Sequence, residues 1–306
     1  MLHAISSGKP GDNHGLSPHL IERFLSFLKK NNYRVMSLEQ YVQALLNHES
    51  TYKTVVFTVD DGYRDFYLNA FKVFKKYGYG ATIFLTSDFI DRKLFFWWDQ
   101  IEFSINSTKK NELEIDGIPS KTLQLTNELE RSHAITAVTR HCKTLPNEKK
   151  LELLEELKQK LEIDLTGQPT GQYEPLKWSE IKEMNQHGID FHPHTKTHPI
   201  MSKIPSEQKR TEVTQPKERI EAELGRPADI FCYPNGQWED FDDEVIDELK
   251  KVGYNAAVTG MEGFDLTANE TDMFRLRRWP IPYEEKHFKQ YVCGLEVFKS
   301  KYLRRG

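Results

Sequence analysis

Two short stretches of the chain concentrate residue types that do chemistry. Residues 191–200 read FHPHTKTHPI and place His192, His194 and His198 in one polar segment between prolines. Imidazole is the commonest protein metal ligand, and His194 and His198 stand four apart, the spacing that puts two side chains on one face of a helical turn. Such a pair grips an ion only with a third ligand, and alone it is also what a surface loop holds by chance. The second stretch is Asp60-Asp61-Gly62, two adjacent carboxylates at the end of the apolar run VVFTV at 55–59. Neighbouring side chains on a strand point opposite ways, so at a strand-to-loop corner one carboxylate faces an ion and the other a substrate. The plain alternative is an Asp-Gly turn. Joined, one Asp and two His leave a fourth position for water on a zinc-like ion. Such an ion lowers the pKa of water toward about 7 and polarises a carbonyl, while the second carboxylate takes the water's proton. That is acyl hydrolysis without a Ser or Cys nucleophile. The G-x-S-x-G, HExxH and GxxxxGK[ST] patterns of competing enzyme classes are absent.

The elements that must position these residues are readable on both sides. Ser17-Pro18 opens a helix with Leu20, Ile21, Phe24, Leu25 and Leu28 on one face. A short strand at 33–36 follows, then a Ser37/Gln40 capping box before YVQALL. VVFTV has the β-branched look of a buried parallel strand, and DFYLNAFKVFKKYG leads as a helix to strand ATIFL at 81–85. The alternation resumes after about residue 175 with a helix from Trp178, strand IDFH at 189–192, and a charged helix from Ser206 to Leu224 that Pro216 should kink or divide. Strand IFCYP at 230–234, helix DDEVIDELKKVG and strand AAVTG at 256–260 complete the series. Repeated βα units make a parallel sheet or barrel with its site at the carboxyl ends of the strands, where both motifs fall.

Between Phe95 and Gly171 the pattern breaks into FFWWDQIEF, the alternating NELEIDGIPSKTLQL and the amphipathic EKKLELLEELKQKLEI. We read residues 96–172 as an inserted, mostly helical subdomain. The 42 basic against 46 acidic residues give no broad pull toward nucleic acid or an acidic membrane. No run of about 18 apolar residues occurs, so no transmembrane segment is expected. The N-terminus lacks the charge and apolar core of a signal peptide, and Cys142, Cys232 and Cys293 form no CxxC, which together point to the cytoplasm.

TVDDG at 58–62, HTKTHP at 194–199 and FCYPNG at 231–236, in that order, resemble the first three motifs of the polysaccharide deacetylase family, the NodB-homology or carbohydrate esterase family 4 group. MLH at 1–3 resembles the MYH-like first strand of its YPxG-type branch. The resemblance implies an α/β fold, an irregular (β/α)7 barrel on residues 1–95 and 173–306, and removal of an acetyl group, usually N-linked, from a sugar of a polysaccharide or glycan. It implies Asp60 as general base, and Asp61, His194 and His198 as ligands of one divalent ion, zinc first among candidates. Thr195 would brace the loop, and the backbone of Tyr233, Pro234, Asn235 and Gly236 would hold the oxyanion and substrate. Many members carry an Arg where Cys232 stands. Arg278, in MFRLRRWPI, resembles the late arginine of a subgroup and is the candidate replacement, the other reading being an ordinary arginine of an RLRR cluster. The general acid would be His3, unless it is simply a terminal residue; His287, in EEKHFKQY, matches the family's late His poorly. His192 matches no family ligand and either lines the pocket, as a second shell to the ion, or satisfies a backbone carbonyl. Trp97, Trp98, Trp238 and Trp279 are equally sugar platforms or core. The substrate would be an acetylated glycan or a lipid- or nucleotide-linked saccharide. A hydrolase of another acyl ester or cyclic amide, and a sugar-binding module without catalysis, stay open.

Overall fold

The computed structural model describes residues 1, 2, 5, 15–118, 120–165, 169–265 and 271–295. His3 therefore lies outside the described residues. In chain order the strands are β1 (Arg34–Met36), β2 (Thr54–Val56), β3 (Thr58–Val59), β4 (Ala81–Leu85), β5 (Glu112–Glu114), β6 (Thr122–Gln124), β7 (Ile189–Pro193), β8 (Ile230–Cys232) and β9 (Ala256–Val258). The chain divides into two compact units, Met1–Asp91 with Glu174–Gly306, and Arg92–Tyr173.

The first unit is α/β. Its strands are parallel and form three short groups, β1-β2, β3-β4-β7 and β8-β9, rather than one continuous ladder among the described residues. Helices separate them. The helix Pro18–Lys30 starts where the Ser17 hydroxyl accepts from the Leu20 N–H, and it buries Ile21, Phe24, Leu25 and Leu28. Ser37 and Gln40 close both halves of a capping box at the head of Leu38–Leu46. β4 and β7 pair from Ala81–Ile189 to Leu85–Pro193 and all their residues are buried, so β4 reads as an apolar run whereas β7 carries Asp190 and His192 into the interior.

Two expectations need correction. VVFTV is not one strand: β2 pairs with β1 and β3 with β4, so the chain changes sheet at Phe57. Leu2 takes the free edge of β3: its N–H donates to the Thr58 carbonyl (2.7 Å) and its carbonyl accepts from Asp60 (3.2 Å). Pro216 does not divide its helix either. Ser206–Leu224 runs unbroken over 19 residues. Proline removes one backbone bond, but helix stability comes mainly from packing an apolar face, and Val213, Pro216 and Ile220 are all buried.

The second unit has its own core. Helices Trp97–Ser107, Glu128–Thr144 and Asn147–Leu161 bury Ile101, Ile105, Val138, Leu154 and Leu157 with Leu113 of the antiparallel pair β5-β6. Each such leucine contributes roughly 1.5–3 kcal/mol on full burial. Trp97 belongs to this core and Trp98 packs on it. Among the described residues no helix is long and apolar enough to cross a membrane.

Candidate metal centre

The end of β3, the end of β7 and the segment following β7 bring three donor atoms together. The Oδ1 of Asp61 lies 3.5 Å from His194 Nε2 and 3.4 Å from His198 Nε2. Ligands about 2.1 Å from a tetrahedral ion stand ~3.4 Å apart, so the triangle matches the edge of such a site. The tautomer fits as well. His194 Nδ1 lies 2.8 Å from the Cys232 carbonyl, which only accepts, so Nδ1 carries the proton and Nε2 offers its lone pair. Burial, then the neighbouring His198, push the His194 pKa down to about 4, so the ring stays neutral at pH 7 as a ligand must. The donor set fits a divalent ion of the zinc type.

Two sharp corners produce this triangle. At the first, Asp61 adopts φ 75° and Gly62 φ 93°. A Cβ on Gly62 would meet Ile90 Cδ1 at 2.8 Å, so only glycine fits behind the carboxylate pair. At the second, the structure corrects the helical-turn reading of HTKTH. Residues 194–198 form a bend in which Thr195 (φ 64°) and His198 (φ 57°) are left-handed. The two imidazoles still meet, with ring centroids 4.7 Å apart. Thr195 Oγ1 accepts from the His198 N–H (2.9 Å), and the Thr86 hydroxyl donates to the His194 carbonyl (3.0 Å).

Asp60 lies beside the triangle, a carboxylate oxygen within 4.8 Å of a His194 ring nitrogen, and meets Arg278. Nη1 donates to Oδ1 at 2.7 Å and Nη2 to Oδ2 at 2.9 Å, a bidentate pair inside the protein. The guanidinium is itself fixed by the Thr259 carbonyl (2.8 Å), Thr58 Oγ1 (3.1 Å) and Cys232 Sγ (3.2 Å). Burial opposes its charge, yet the ion pair with Asp60 outweighs that and raises its pKa above the ordinary arginine value. Arg278 is thus no ordinary member of the RLRR cluster. Cys232 is small and buried, and its Sγ meets the guanidinium that arrives from position 278.

The YPNG loop after β8 is held by backbone. A Cβ on Gly236 would stand 2.3 Å from the Gly260 nitrogen, and the Gly260 N–H donates to the Gly236 carbonyl at 2.9 Å. The Tyr233 N–H donates to Val258 and the Gly236 N–H to the Pro234 carbonyl, and Pro234 has no N–H. Tyr233 is therefore not a free oxyanion donor, contrary to the sequence expectation. Its ring stacks on Phe241 (3.9 Å) and its hydroxyl donates to Phe274 (3.0 Å), a core role.

The remaining candidates separate. His192 groups with Glu39 and Asp190 rather than with Asp61; its Nδ1 accepts from the Ile230 N–H (3.4 Å), so it is not a support for the ion ligands. Burial pushes its pKa down to about 3. His287 is exposed on the helix Glu285–Val292. Trp279 packs on Tyr291 and Phe264, whereas Trp238 is 64% exposed. Sequence reasoning missed Thr58, Thr86, Thr259 and Glu212, and nothing in their local pattern marks them.

A family profile described as "Polysaccharide deacetylase" matches residues 47–257. YxkH of Bacillus subtilis (strain 168) is 22% identical over 279 residues, 91% of this chain and 68% of that protein. Among solved structures, the Streptococcus pyogenes deacetylase PplD in complex with acetate aligns with a TM-score of 0.60 at 20% identity, over 92% of this chain and 90% of that one. IcaB from Ammonifex degensii aligns with a TM-score of 0.60 at 13% identity, over 95% and 94%. At these identities the structural likeness is one of fold.

Proposed function

The chain belongs to the polysaccharide deacetylase family, and we propose that it is a metal-dependent hydrolase removing N-linked acetyl groups from a sugar of a polysaccharide or its saccharide precursor. The observation that carries the reading is the Asp61–His194–His198 triangle with Asp60, pinned by Arg278, on the adjacent residue. The acetate in the Streptococcus pyogenes deacetylase, on a similar fold, supports acetyl as the acyl group. The irregular (β/α)7 barrel, with residues 96–172 as its inserted helical subdomain, is part of the same reading and is supported by the short parallel groups of the first unit.

A divalent ion held by Asp61, His194 and His198 would supply Lewis acidity toward an acyl carbonyl and water. Asp60 takes the proton from the attacking water. Each carboxylate oxygen has two lone pairs, so the bidentate hold of Arg278 leaves one on each for that proton. Arg278 also fixes the plane of the carboxylate, which sets the direction of proton transfer. The Asn235 N–H is the amide of the YPNG loop that the backbone bonds of Tyr233 and Gly236 leave to the developing oxyanion. His3 returns a proton to the departing nitrogen. It follows directly on Leu2, which is bonded to both Thr58 and Asp60.

The test is metal content together with acetate release from N-acetylated oligosaccharides, for wild type, Asp60→Asn and His198→Ala. One equivalent of zinc-like metal, with acetate release lost in Asp60→Asn while the metal stays, supports the reading. Metal without acetate from any glycan points instead to another acyl substrate. No metal in any form leaves a sugar-binding module.

A further inference from the structure

The loop between the two histidine ligands is held from outside by a residue with no part in the chemistry above. Glu212 projects from the helix Ser206–Leu224 and is 2% exposed. Its Oε2 accepts from the backbone N–H groups of both Lys196 and Thr197, each at 2.8 Å, and its Oε1 accepts from the Thr197 hydroxyl at 2.5 Å. Three donors on two consecutive residues thus converge on one carboxylate. Those residues are the centre of the bend that turns His198 back toward His194.

The bend needs such a hold. Thr195 and His198 are non-glycine residues at positive φ, and His198 also precedes Pro199, which crowds the backbone before it. A left-handed non-glycine residue is strained, and such conformations persist only where surrounding structure over-determines them. The hydrogen bond within the loop, from His198 N–H to Thr195 Oγ1, joins the two strained residues to each other. The carbonyl side of the loop is tied to the neighbouring segment, where the Ser87 and Asp88 N–H groups donate to the Thr195 and Lys196 carbonyls at 3.3 and 3.0 Å. Glu212 holds the opposite, N–H side of the bend. Pro216, four residues on in the same helix, has no N–H to give to the Glu212 carbonyl.

We propose that Glu212 is the positioning residue of the metal centre: it fixes the Lys196–Thr197 backbone so that His194 and His198 already face Asp61 before an ion arrives. This rests on the metal-centre reading above. A preformed triangle binds without first ordering the loop, so loss of the clamp weakens ion binding rather than only the fold.

The experiment measures zinc affinity of the metal-free protein by competition with a chromogenic chelator, beside its thermal stability, for wild type, Glu212→Ala, Glu212→Asp and Glu212→Gln. Outer partners of metal ligands are typically worth about 10–100-fold in affinity, and that is the loss expected for Glu212→Ala. Glu212→Asp, one methylene short of the amides, falls in the same direction and decides the matter if the alanine variant does not fold. Glu212→Gln keeps an acceptor for both amides and stays within a few-fold of wild type. Wild-type affinity in the folded Ala or Asp variant overturns the proposal, whatever the change in stability. A Gln variant as weak as Ala overturns it too, since charge and not the hold on two amides would then set the affinity. Zinc bound by no form, wild type included, overturns the metal centre itself and the proposal with it.

Discussion

The guanidinium of Arg278 meets the carboxylate of Asp60 edge to edge, two parallel bonds of 2.7 and 2.9 Å between residues 218 apart in the chain. Both groups are buried, so neither has water to fall back on. Removing one partner of such a pair leaves an uncompensated charge, which costs far more than the pair itself contributes. Arg278→Ala is therefore expected to lower unfolding free energy by about 3–5 kcal/mol. Arg278→Lys retains the charge but not the fork, and acetate release should fall by about 10–100-fold with smaller loss of stability. Urea unfolding and steady-state kinetics on the two variants separate the effects.

Asp60→Asn removes the base and keeps the shape. Acetate release should drop by about 10²–10⁴-fold, the usual share of a general base. The zinc content should be unchanged, because Asp61 and the two histidines are intact. A parallel loss of metal would show that Asp60 is itself a ligand.

Chelation tests the triangle from the other side. An ion that binds only the folded state at a hundred times its Kd adds about 2.7 kcal/mol, so a chelator should lower the thermal midpoint and zinc should restore it. In His198→Ala the midpoint should be insensitive to both.

Gly236→Ala would place a methyl 2.3 Å from the Gly260 nitrogen at φ 74°. The strained conformation and the clash together should cost about 2–4 kcal/mol, and a shift of the Asn235 amide should reduce kcat more than it raises KM. An alanine variant with wild-type kcat would remove Asn235 from the proposed oxyanion site.

The three cysteines should differ in reactivity. Cys293 is exposed, Cys142 and Cys232 are buried, and burial pushes the Cys142 thiol up to about 11. Native protein at pH 8 should therefore alkylate at Cys293 and gain the other two only on unfolding, as counted by mass spectrometry.

Much of this site was legible in the sequence because its ligands sit at the ends of strands that buried, β-branched runs announce. ATIFL is β4 residue for residue, and TVDDG and HTKTH mark the corners that follow β3 and β7. What was hidden depends on contacts far apart in the chain. The break at Phe57 is a change of strand partner, from β1 to β4, which no local pattern encodes. Arg278 is marked in the sequence only by its likeness to a late arginine of the family, and its pairing with Asp60 exists only in the tertiary fold. Glu212 lies among the charged residues of SEQKRTEVTQPKERIEAEL, where a buried clamp and a solvated glutamate look the same. The helical-turn reading of His194 and His198 expects a different geometry from the one observed, since two left-handed residues close the same gap as one turn of helix.

The spread of the site along the chain also orders its making. Synthesis delivers Asp60 and Asp61 first, then His194 and His198, and Arg278 only 80 residues later, 278 less 198. At roughly 5–20 residues per second that interval lasts about 4–16 s on the ribosome. During it a nascent chain already contains every proposed ion ligand, while Asp60 still lacks its guanidinium. On the proposed reading, the ligands of the ion are therefore all made before the guanidinium that completes the base.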